Sequence, residues 1–247
     1  MSEVMDEERR RRYLAAMEIP LWRSREAPPP TPAESPPEAM EASPAVEATS
    51  ERSSEAAVDT LDWAGLEARV AACTACPELV ANRSRTVFGV GDRQARLMLV
   101  GEAPGADEDR LGEPFVGRAG KLLDAMLRAI GLSRGQVFIA NILKCRPPGN
   151  RDPRPEEAAH CLPFLERQIQ LLAPRLLLSL GRISAQHLLR TQAPVGRLRG
   201  QVHRVEIAGL ALPLVVTYHP AYLLRSPAQK AKSWDDLRKV WELLREE

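Results

Sequence analysis

Four cysteines are the residues whose spacing most directly indicates chemistry in this chain of 247 residues. Cys73 and Cys76 stand three positions apart in "CTAC", and Cys145 and Cys161 enclose fifteen residues. Four thiolates can close a tetrahedral metal site or hold one 4Fe–4S cluster. The spacing does not choose between zinc and iron–sulfur. A disulfide pair or inert buried cysteines remain the alternative.

Three polar loops are the other stretches that could form a site, and they read "GEAPGADEDRLGEPFVGRAG", "NILKCRPPGN" and "TYHPAYLLR". Each follows an apolar run that predicts a buried strand. The first loop is rich in glycine but matches neither the phosphate-binding P-loop nor a clean G-x-G-x-x-G pattern. Because ligands bind outside the carboxyl ends of strands in an open α/β sheet, we expect the loops to meet at one site.

The elements that must position these loops alternate between strands and helices. Apolar runs predict four core strands, with "QVHRVEI" as a ribbon partner of the last, and these runs are "LMLV", "QVFIAN", "RLLLSLG" and "LPLVVTYHP". Helical spacing predicts the helices, which lie in "LDWAGLEARVAAC", "GRAGKLLDAMLRAIGL", "RPEEAAHCLPFLERQIQLLAP", "RISAQHLLRT" and "SWDDLRKVWELLREE". The alternation predicts a three-layer α/β/α sandwich with a central, largely parallel four-stranded sheet.

Composition divides the chain into an arm at residues 1–23, a linker at 24–59 and a folded domain at 60–247. The arm carries an apolar patch that is either a docking motif for a replication or repair protein or a helix that folds back. The linker is rich in Pro, Glu, Ala and Ser, which predicts disorder. Residues 1–59 carry 13 acidic and 7 basic side chains, whereas residues 60–247 carry 20 and 27. The basic domain indicates a polyanion partner such as nucleic acid, with ordinary surface charge as the alternative.

The sequence also bears on compartment. No apolar run reaches the roughly 18 residues that a membrane span needs, and the charged start has no apolar signal-peptide core. We therefore expect a cytoplasmic monomer without membrane contact, associated with the nucleoid if the source is bacterial. Disulfides are rare in that compartment, which favours metal binding by the cysteines.

Taken together, the three loops and the four cysteines resemble the family 4 uracil-DNA glycosylases, iron–sulfur members of the uracil-DNA glycosylase superfamily. The resemblance runs from about Leu61 to near the C-terminus and leaves residues 1–59 outside it. It implies that residues 60–247 flip uracil out of DNA and hydrolyse its N-glycosidic bond, which leaves an abasic site and initiates base-excision repair. It also implies a structural 4Fe–4S cluster, with zinc as the less favoured alternative, on Cys73, Cys76, Cys145 and Cys161.

The resemblance implies roles for three residues of the loops. Phe115 matches the position that stacks on the flipped uracil, with a core Phe as the alternative. Asn141 would read the uracil edge, because an amide can accept from N3–H and donate to O4; a structural turn Asn is the alternative. His219 would donate to O2 as negative charge develops on the leaving base, and a capping or packed His is the alternative.

The carboxylates of the first loop are harder to assign. Glu102 directly follows the strand and is the first candidate for orienting water or stabilising the sugar cation. Ala103 occupies the position at which other branches of the superfamily carry an Asp, and it would line the uracil pocket. Glu108 matches a pocket position and would help to exclude the methyl group of thymine. Asp107 and Asp109 are expected to be solvated loop charges, and any of these carboxylates could instead brace the loop.

DNA contacts are expected from both ends of the site. Arg118 in "GRAGK" lies near a helix start that can bind phosphate, and Arg225 could contact phosphate. Leu223 and Leu224 could wedge into the gap left by the flipped base or simply pack in the core. Basic residues in or beside the segment between the last two cysteines are expected within reach of phosphate, and these are Lys144, Arg146, Arg151 and Arg154.

Three alternatives to a uracil-DNA glycosylase that turns over can be named. One branch of the superfamily is trapped on the abasic sugar through a His between the last two cysteines. Here "PPGNRDPRP" contains no His and His160 adjoins Cys161, so turnover is expected. A non-catalytic iron–sulfur DNA-binding module of the same fold is the runner-up function. A nucleotide-binding α/β protein is disfavoured because the P-loop lysine is absent.

Overall fold

A six-stranded sheet forms the centre of the protein in a computed structural model that describes residues 58–245. Its strands are β1 (Val90–Gly91), β2 (Leu97–Gly101), β3 (Phe138–Asn141), β4 (Leu176–Leu180), β5 (Val202–Ile207) and β6 (Leu210–Thr217). They are ordered β1-β3-β2-β4-β6-β5 across the sheet. The four central strands are parallel, and β1 and β5 pair antiparallel at the two edges. The predicted four-stranded parallel core is confirmed. The sheet also contains β5, the predicted ribbon partner of the last core strand, and β1, which was not predicted.

Helices cover both faces of the sheet. They are α1 (Trp63–Ala71), α2 (Pro77–Asn82), α3 (Ala106–Leu111), α4 (Arg118–Ala129), α5 (Pro155–Leu172), α6 (Arg182–Leu189), α7 (Val195–Leu198), α8 (Pro220–Arg225) and α9 (Lys230–Arg245). Short 3-10 turns occur at Arg134–Gln136, Pro148–Asn150 and Pro227–Gln229. The five predicted helices are confirmed as α1, α4, α5, α6 and α9. The short helices α3 and α8 lie in segments expected to be loops, and α2 and α7 lie in segments for which the sequence predicted no structure.

The three layers follow from alternation along the buried strands. Every residue of β2, β3 and β4 is buried, as expected of parallel strands covered on both faces. Met98 and Val100 face a cluster that includes residues of α5 and α6. Leu97 and Leu99 face the opposite cluster, which includes residues of α4 and α9. The α/β/α sandwich is therefore confirmed.

The beginning of the folded domain is set by a small apolar cluster under α1. Val58 is buried there with Leu66, Val70, Phe88 and Phe164. The domain therefore includes Val58, two residues before the predicted start at residue 60. The predicted arm at 1–23 and the linker up to residue 57 lie outside the described residues. None of the helices within 58–245 has the length and apolar character needed to cross a bilayer.

Candidate active site and cysteine cluster

A cavity of about 730 Å³ opens at the carboxyl ends of the central strands. All three polar loops contribute to its wall, as the sequence predicts. The wall includes the predicted residues Glu102, Ala103, Glu108, Phe115, Asn141, His219 and Arg225. Parallel strands bring their following loops to one edge, and the pairing of Gly101 with Asn141 places the ends of β2 and β3 side by side.

Phe115 is held in a strained backbone conformation at the cavity wall. Its φ angle is 55°, which is unusual for a residue with a side chain. Arg134 donates to the carbonyl oxygens of Phe115 and Pro114, which fixes the turn. The Phe115 ring lies 5.5 Å from the His219 ring, centroid to centroid, at an interplanar angle of 31°. The loop thus presents an aromatic face beside a hydrogen-bonding ring.

Asn141 carries a buried acceptor with no partner. Asn141 is 2 % exposed, and its Oδ1 forms no hydrogen bond in the structure. Such an atom normally costs about 1–3 kcal/mol unless it is satisfied. Gly101 makes room for it, because a Cβ there would collide with Oδ1 and would lie 2.8 Å from the Phe115 ring. An unpaired acceptor in a cavity wall is free to accept a hydrogen bond from a bound group.

His219 precedes α8 and caps its N-terminus. Its Nδ1 accepts a hydrogen bond from the backbone N–H of Ala221 at 3.1 Å, so the neutral ring carries its proton on Nε2. Removal from water, with a smaller contribution from the nearby Arg225 guanidinium, lowers the pKa of His219 to about 4, and Glu108 opposes this shift. The ring is therefore a neutral donor throughout the physiological pH range.

Glu102 is the carboxylate with the most perturbed protonation in the cavity. Burial, with a smaller contribution from Asp152, raises its pKa from the ordinary 4.5 to about 7, and Arg182 opposes this rise. Asp152 and Arg182 form an ion pair with each other, and both line the cavity. A carboxyl group with a pKa near neutrality can exchange a proton with water at working pH.

The other carboxylates of the loop have separate surroundings. Glu108 accepts hydrogen bonds from the backbone N–H groups of Gly105, Val116 and Gly117 at 3.1, 3.0 and 3.2 Å, so it braces the loop while it lines the cavity. Asp107 is exposed and pairs with Arg110, as a solvated charge would. The same prediction for Asp109 is wrong. It is 3 % exposed and accepts from the backbone N–H of Ser84 through both oxygens.

The predicted DNA-contacting residues divide between surface and core. Arg118 is exposed at the start of α4, outside the cavity wall, and Arg225 is exposed within that wall. Leu224 is half-buried, whereas Leu223 is 1 % exposed and packs in the apolar cluster with α4. A side chain in the core cannot wedge into DNA, so only Leu224 keeps that predicted role.

Several basic residues in or beside the segment between the last two cysteines are also placed differently from expectation. Lys144 is 1 % exposed and so cannot meet phosphate. Arg151 pairs with the buried Glu157, and Arg154 pairs with Glu78. Of these cations Arg151 lines the cavity. The charges of this segment therefore hold it in shape as well as making its surface basic.

Sequence reasoning missed several residues of the cavity wall, among them Asp152, Arg182, Tyr218 and Tyr222. The tyrosine rings lie 5.1 Å apart, centroid to centroid. Arg182 begins α6, and only Gly181 separates it from the end of β4, a position at which an α/β sheet places ligand-binding residues. That signal could have found Arg182, whereas its pairing with Asp152 depends on the folded loop.

The four cysteines converge from α1, the end of β3 and α5. Burial is the main cause that raises the pKa of Cys76 to about 11, and the neighbouring Cys73 and Cys145 add to this rise. Burial also raises the pKa of Cys161 to about 12, where Lys144 opposes the rise and Cys145 and Cys76 add to it. The thiols therefore repel one another's negative charge, which is the arrangement that a cationic centre would relieve. His160 lies 3.5 Å from the Cys76 sulfur through Nδ1, beside this cluster and outside the cavity wall.

The donor set can be compared with the two candidate metal groups. Within residues 58–245 no group of three or more His, Cys, Asp or Glu side chains could hold a metal ion as arranged. A zinc ion needs its sulfurs at about 2.3 Å, whereas an iron–sulfur cluster takes its thiolates at the corners of a larger cage. Arg83 donates to the Cys145 sulfur at 3.0 Å and to the Cys73 carbonyl at 2.8 Å. Four thiols with a donor to one sulfur are a ligand set that either a zinc ion or an iron–sulfur cluster can use.

Comparisons with known proteins agree with this geometry. The family model of the uracil DNA glycosylase superfamily matches residues 88–245. A type-4 uracil-DNA glycosylase of Pyrobaculum aerophilum is 44 % identical over 181 residues, which are 72 % of this chain and 92 % of the relative. The type-4 uracil-DNA glycosylase of Archaeoglobus fulgidus is 43 % identical over 178 residues, which are 70 % of this chain and 89 % of the relative. A type-5 uracil-DNA glycosylase of Thermus thermophilus is 36 % identical over 149 residues, which are 48 % of this chain and 68 % of the relative.

Proposed function

Because the chain belongs to the uracil-DNA glycosylase superfamily, with type-4 relatives that it covers almost fully, we propose that it is a uracil-DNA glycosylase. It hydrolyses the bond between uracil and deoxyribose, and it leaves an abasic site in DNA. The observation that carries this proposal is the unpaired Oδ1 of Asn141 in the cavity wall. The N3–H of uracil is a donor that satisfies this atom.

The amide of Asn141 distinguishes uracil from cytosine. Uracil presents N3–H to Oδ1 and the O4 acceptor to the amide N–H. Cytosine presents an acceptor at N3 and a donor at its amino group, so each would face a group of its own kind. An unsatisfied pair of this sort costs several kcal/mol in a buried site, about 1–3 kcal/mol for each group. The base must first leave the duplex stack to reach this amide.

Phe115 stacks on the flipped base, and His219 stabilises its departure. An aromatic ring beside the base replaces part of the stacking that is lost on extrusion. As the glycosidic bond breaks, negative charge develops on uracil O2. The neutral His219 ring donates from Nε2 to that oxygen, because Nδ1 is already held by Ala221. A donor fixed before the reaction stabilises the developing charge without reorganisation.

Glu102 orients the attacking water and, when ionised, stabilises the positive charge on the sugar. Its pKa of about 7 allows it to accept a proton from water near neutral pH. Ala103 leaves open space beside it in the wall. Glu108 keeps the Phe115 loop in place through its three backbone contacts, and its position supports the exclusion of thymine.

The DNA backbone is held at the rim of the cavity. Arg225 and Arg118 supply positive charge for phosphates, and Leu224 fills the gap left by the flipped nucleotide. No lysine lies among the described residues of the cavity wall, so the reaction leaves the DNA strand intact. The enzyme acts as a monomer in the cytoplasm or nucleoid, where it initiates base-excision repair. A repair or replication protein is the proposed partner of residues 1–23.

Cys73, Cys76, Cys145 and Cys161 hold a 4Fe–4S cluster in this proposal. Held by these residues, a cluster would tie together the segment after α1, the end of β3 and α5. Glycosidic hydrolysis transfers no electrons, so the chemistry of the reaction belongs to the cavity residues. The tie fixes the segment between Cys145 and Cys161, which contributes Arg151 and Asp152 to the wall.

Incubation with a uracil-containing oligonucleotide, followed by alkali, tests the proposal. Single- and double-stranded substrates should yield a fragment cut at the uracil position only after alkali. Asn141→Ala and His219→Ala should lose most activity while the cluster absorbance remains. Absence of product from both substrates would exclude the activity and favour a non-catalytic DNA-binding module.

A further inference from the structure

Asp236 is a fully buried carboxylate of α9 that does not line the cavity. Its Oδ1 accepts hydrogen bonds from Nη2 of Arg199 at 2.8 Å and from the backbone N–H of Gly200 at 3.1 Å. Its Oδ2 accepts from Nε of Arg199 at 3.0 Å and from the hydroxyl of Thr217 at 2.9 Å. Burial raises the pKa of Asp236, and Arg199 and Thr217 oppose that rise through their hydrogen bonds. The paired contact with the guanidinium fixes the direction of both carboxylate oxygens.

The hydroxyl of Thr217 connects this carboxylate to the end of β6. Thr217 is buried and is the last residue of the strand, so Tyr218 and His219 of the cavity wall follow it directly. Its carbonyl oxygen accepts a hydrogen bond from the backbone N–H of Gly181 at 2.9 Å. A Cβ on Gly181 would lie 2.8 Å from the Cβ of His219, so the two segments pack in direct contact. The position of His219 therefore depends on that of Thr217.

Arg199 connects the same carboxylate to a second part of the wall. It follows α7 directly, and Val195 and Gly196 of that helix line the cavity. The Arg199 guanidinium also lies 5.9 Å from the centroid of the Tyr218 ring, a distance at which a cation is attracted to an aromatic face. Asp236 thus holds two segments of the wall together from outside the cavity.

We propose that Asp236 is a positioning residue for base excision, because it fixes the turn that carries His219 at the uracil pocket. The inference rests on the proposed function, in which His219 donates to uracil O2 as the glycosidic bond breaks. That donor stabilises the leaving base only if it is held where the negative charge develops. A misplacement of about 1 Å can cost about a hundredfold in rate. The carboxylate of Asp236 touches no substrate itself.

Thr217→Val tests this link with little change of shape, because it replaces the hydroxyl with a methyl group. Single-turnover excision of uracil by the full chain should slow about tenfold, whereas Thr217→Ser keeps the hydroxyl and should retain most of the wild-type rate. In a His219→Ala background, Thr217→Val should change the rate little, since both act on one donor. An unchanged rate in Thr217→Val, equal losses in Thr217→Ser, or losses that multiply independently would overturn the proposal.

Two further variants complete the series. Thr191→Val is the matched control, because the Thr191 hydroxyl accepts a hydrogen bond from Ala193 outside the cavity wall; it should leave the rate unchanged. Arg199→Lys keeps the positive charge but loses the paired contact with Asp236, and it serves if Thr217→Val does not fold. It should slow excision non-additively with His219→Ala, and additive losses would contradict the proposal.

The leaving group distinguishes positioning from a loss of folded protein. Fluorine withdraws electrons, so 5-fluorouracil departs as a more stable anion than uracil and depends less on the donor of His219. Thr217→Val should therefore slow the excision of 5-fluorouracil by a smaller factor than the excision of uracil. A loss of folded protein would slow both by the same factor, and that result would overturn the positioning role.

Nuclear magnetic resonance of the histidine rings tests the same link without reference to activity. In protein labelled with nitrogen-15 at histidine, the His219 signals are assigned by their absence from His219→Ala. Thr217→Val should shift or broaden these signals, and Thr191→Val should not. Unchanged His219 signals in Thr217→Val would overturn the positioning role. A wild-type protein that excises neither base but shows the shift would refute the enzyme activity alone.

Discussion

Asp152→Asn and Arg182→Gln should move the acidic limb of the pH–rate profile in opposite directions. Both residues act on Glu102, whose ionised form is needed to orient water. Asp152 raises the pKa of Glu102, so its neutralisation should lower that pKa and shift the limb to lower pH. Arg182 opposes the rise, so its neutralisation should shift the limb to higher pH. His219 does not define this limb, because its pKa lies near 4.

The size of the effect follows from the pKa of Glu102, which burial raises from 4.5 to about 7. At pH 6 only about a tenth of the groups with that pKa are ionised, and each further pH unit downward costs about tenfold in rate. A full return to the ordinary value would raise the rate at pH 6 by about tenfold. Because burial is the larger cause, Asp152→Asn should recover only part of that factor.

Single-turnover excision between pH 5 and 9, with enzyme in saturating excess, separates this effect from DNA binding. Asp107→Asn and Arg110→Gln are matched controls, because that exposed pair lies on α3 outside the cavity wall. Their profiles should coincide with that of wild type. Shifts of the same sign for Asp152→Asn and Arg182→Gln, or profiles without a limb near pH 7, would refute the role given to Glu102.

Three further changes have defined outcomes. Gly101→Ala should reduce the excision rate about a hundredfold by displacing Asn141 and Phe115. The control Gly135→Ala places its Cβ in open space and should not reduce the rate. Equal excision rates for the two variants would contradict the packing argument. Glu102→Gln should melt at a higher temperature than wild type, by a margin that grows from pH 5 to pH 8. The reason is that the stability associated with the raised pKa of the Glu102 carboxyl group is lost as pH rises through about 7. A difference in melting temperature that does not change with pH would contradict this expectation. Arg225→Ala should reduce the slope of log binding constant against log salt by about one, and an unchanged slope would show that Arg225 contacts no phosphate.

The central sheet could be predicted because buried parallel strands form continuous apolar runs, as in Leu97–Gly101 and Leu176–Leu180. The strand Val90–Gly91 could not, since two residues carry no periodicity. The convergence of Phe115, Asn141 and His219 followed from their positions after parallel strands. Architecture and the meeting of the loops are thus properties of local pattern.

The remaining errors concern side chains whose surroundings are set by distant residues. Asp109 stands in an acidic run, and its burial depends on the Ser84 N–H. Lys144 stands in a basic loop, and its burial depends on Gln168. Leu223 packs against residues of α4, almost a hundred positions away. Such contacts cannot be recognised from the neighbouring sequence. The charges of Asp109 and Lys144 by themselves suggested that both side chains are exposed.

Excision by wild type and Asn141→Ala, measured with cluster absorbance on the same samples, tests the central claim most directly. Wild type should convert a uracil oligonucleotide into an alkali-labile abasic product. Asn141→Ala should lose at least about a hundredfold in rate at unchanged absorbance per protein. An unchanged rate in Asn141→Ala, or a loss that follows the loss of the cluster, would contradict the assignment of uracil recognition to this amide.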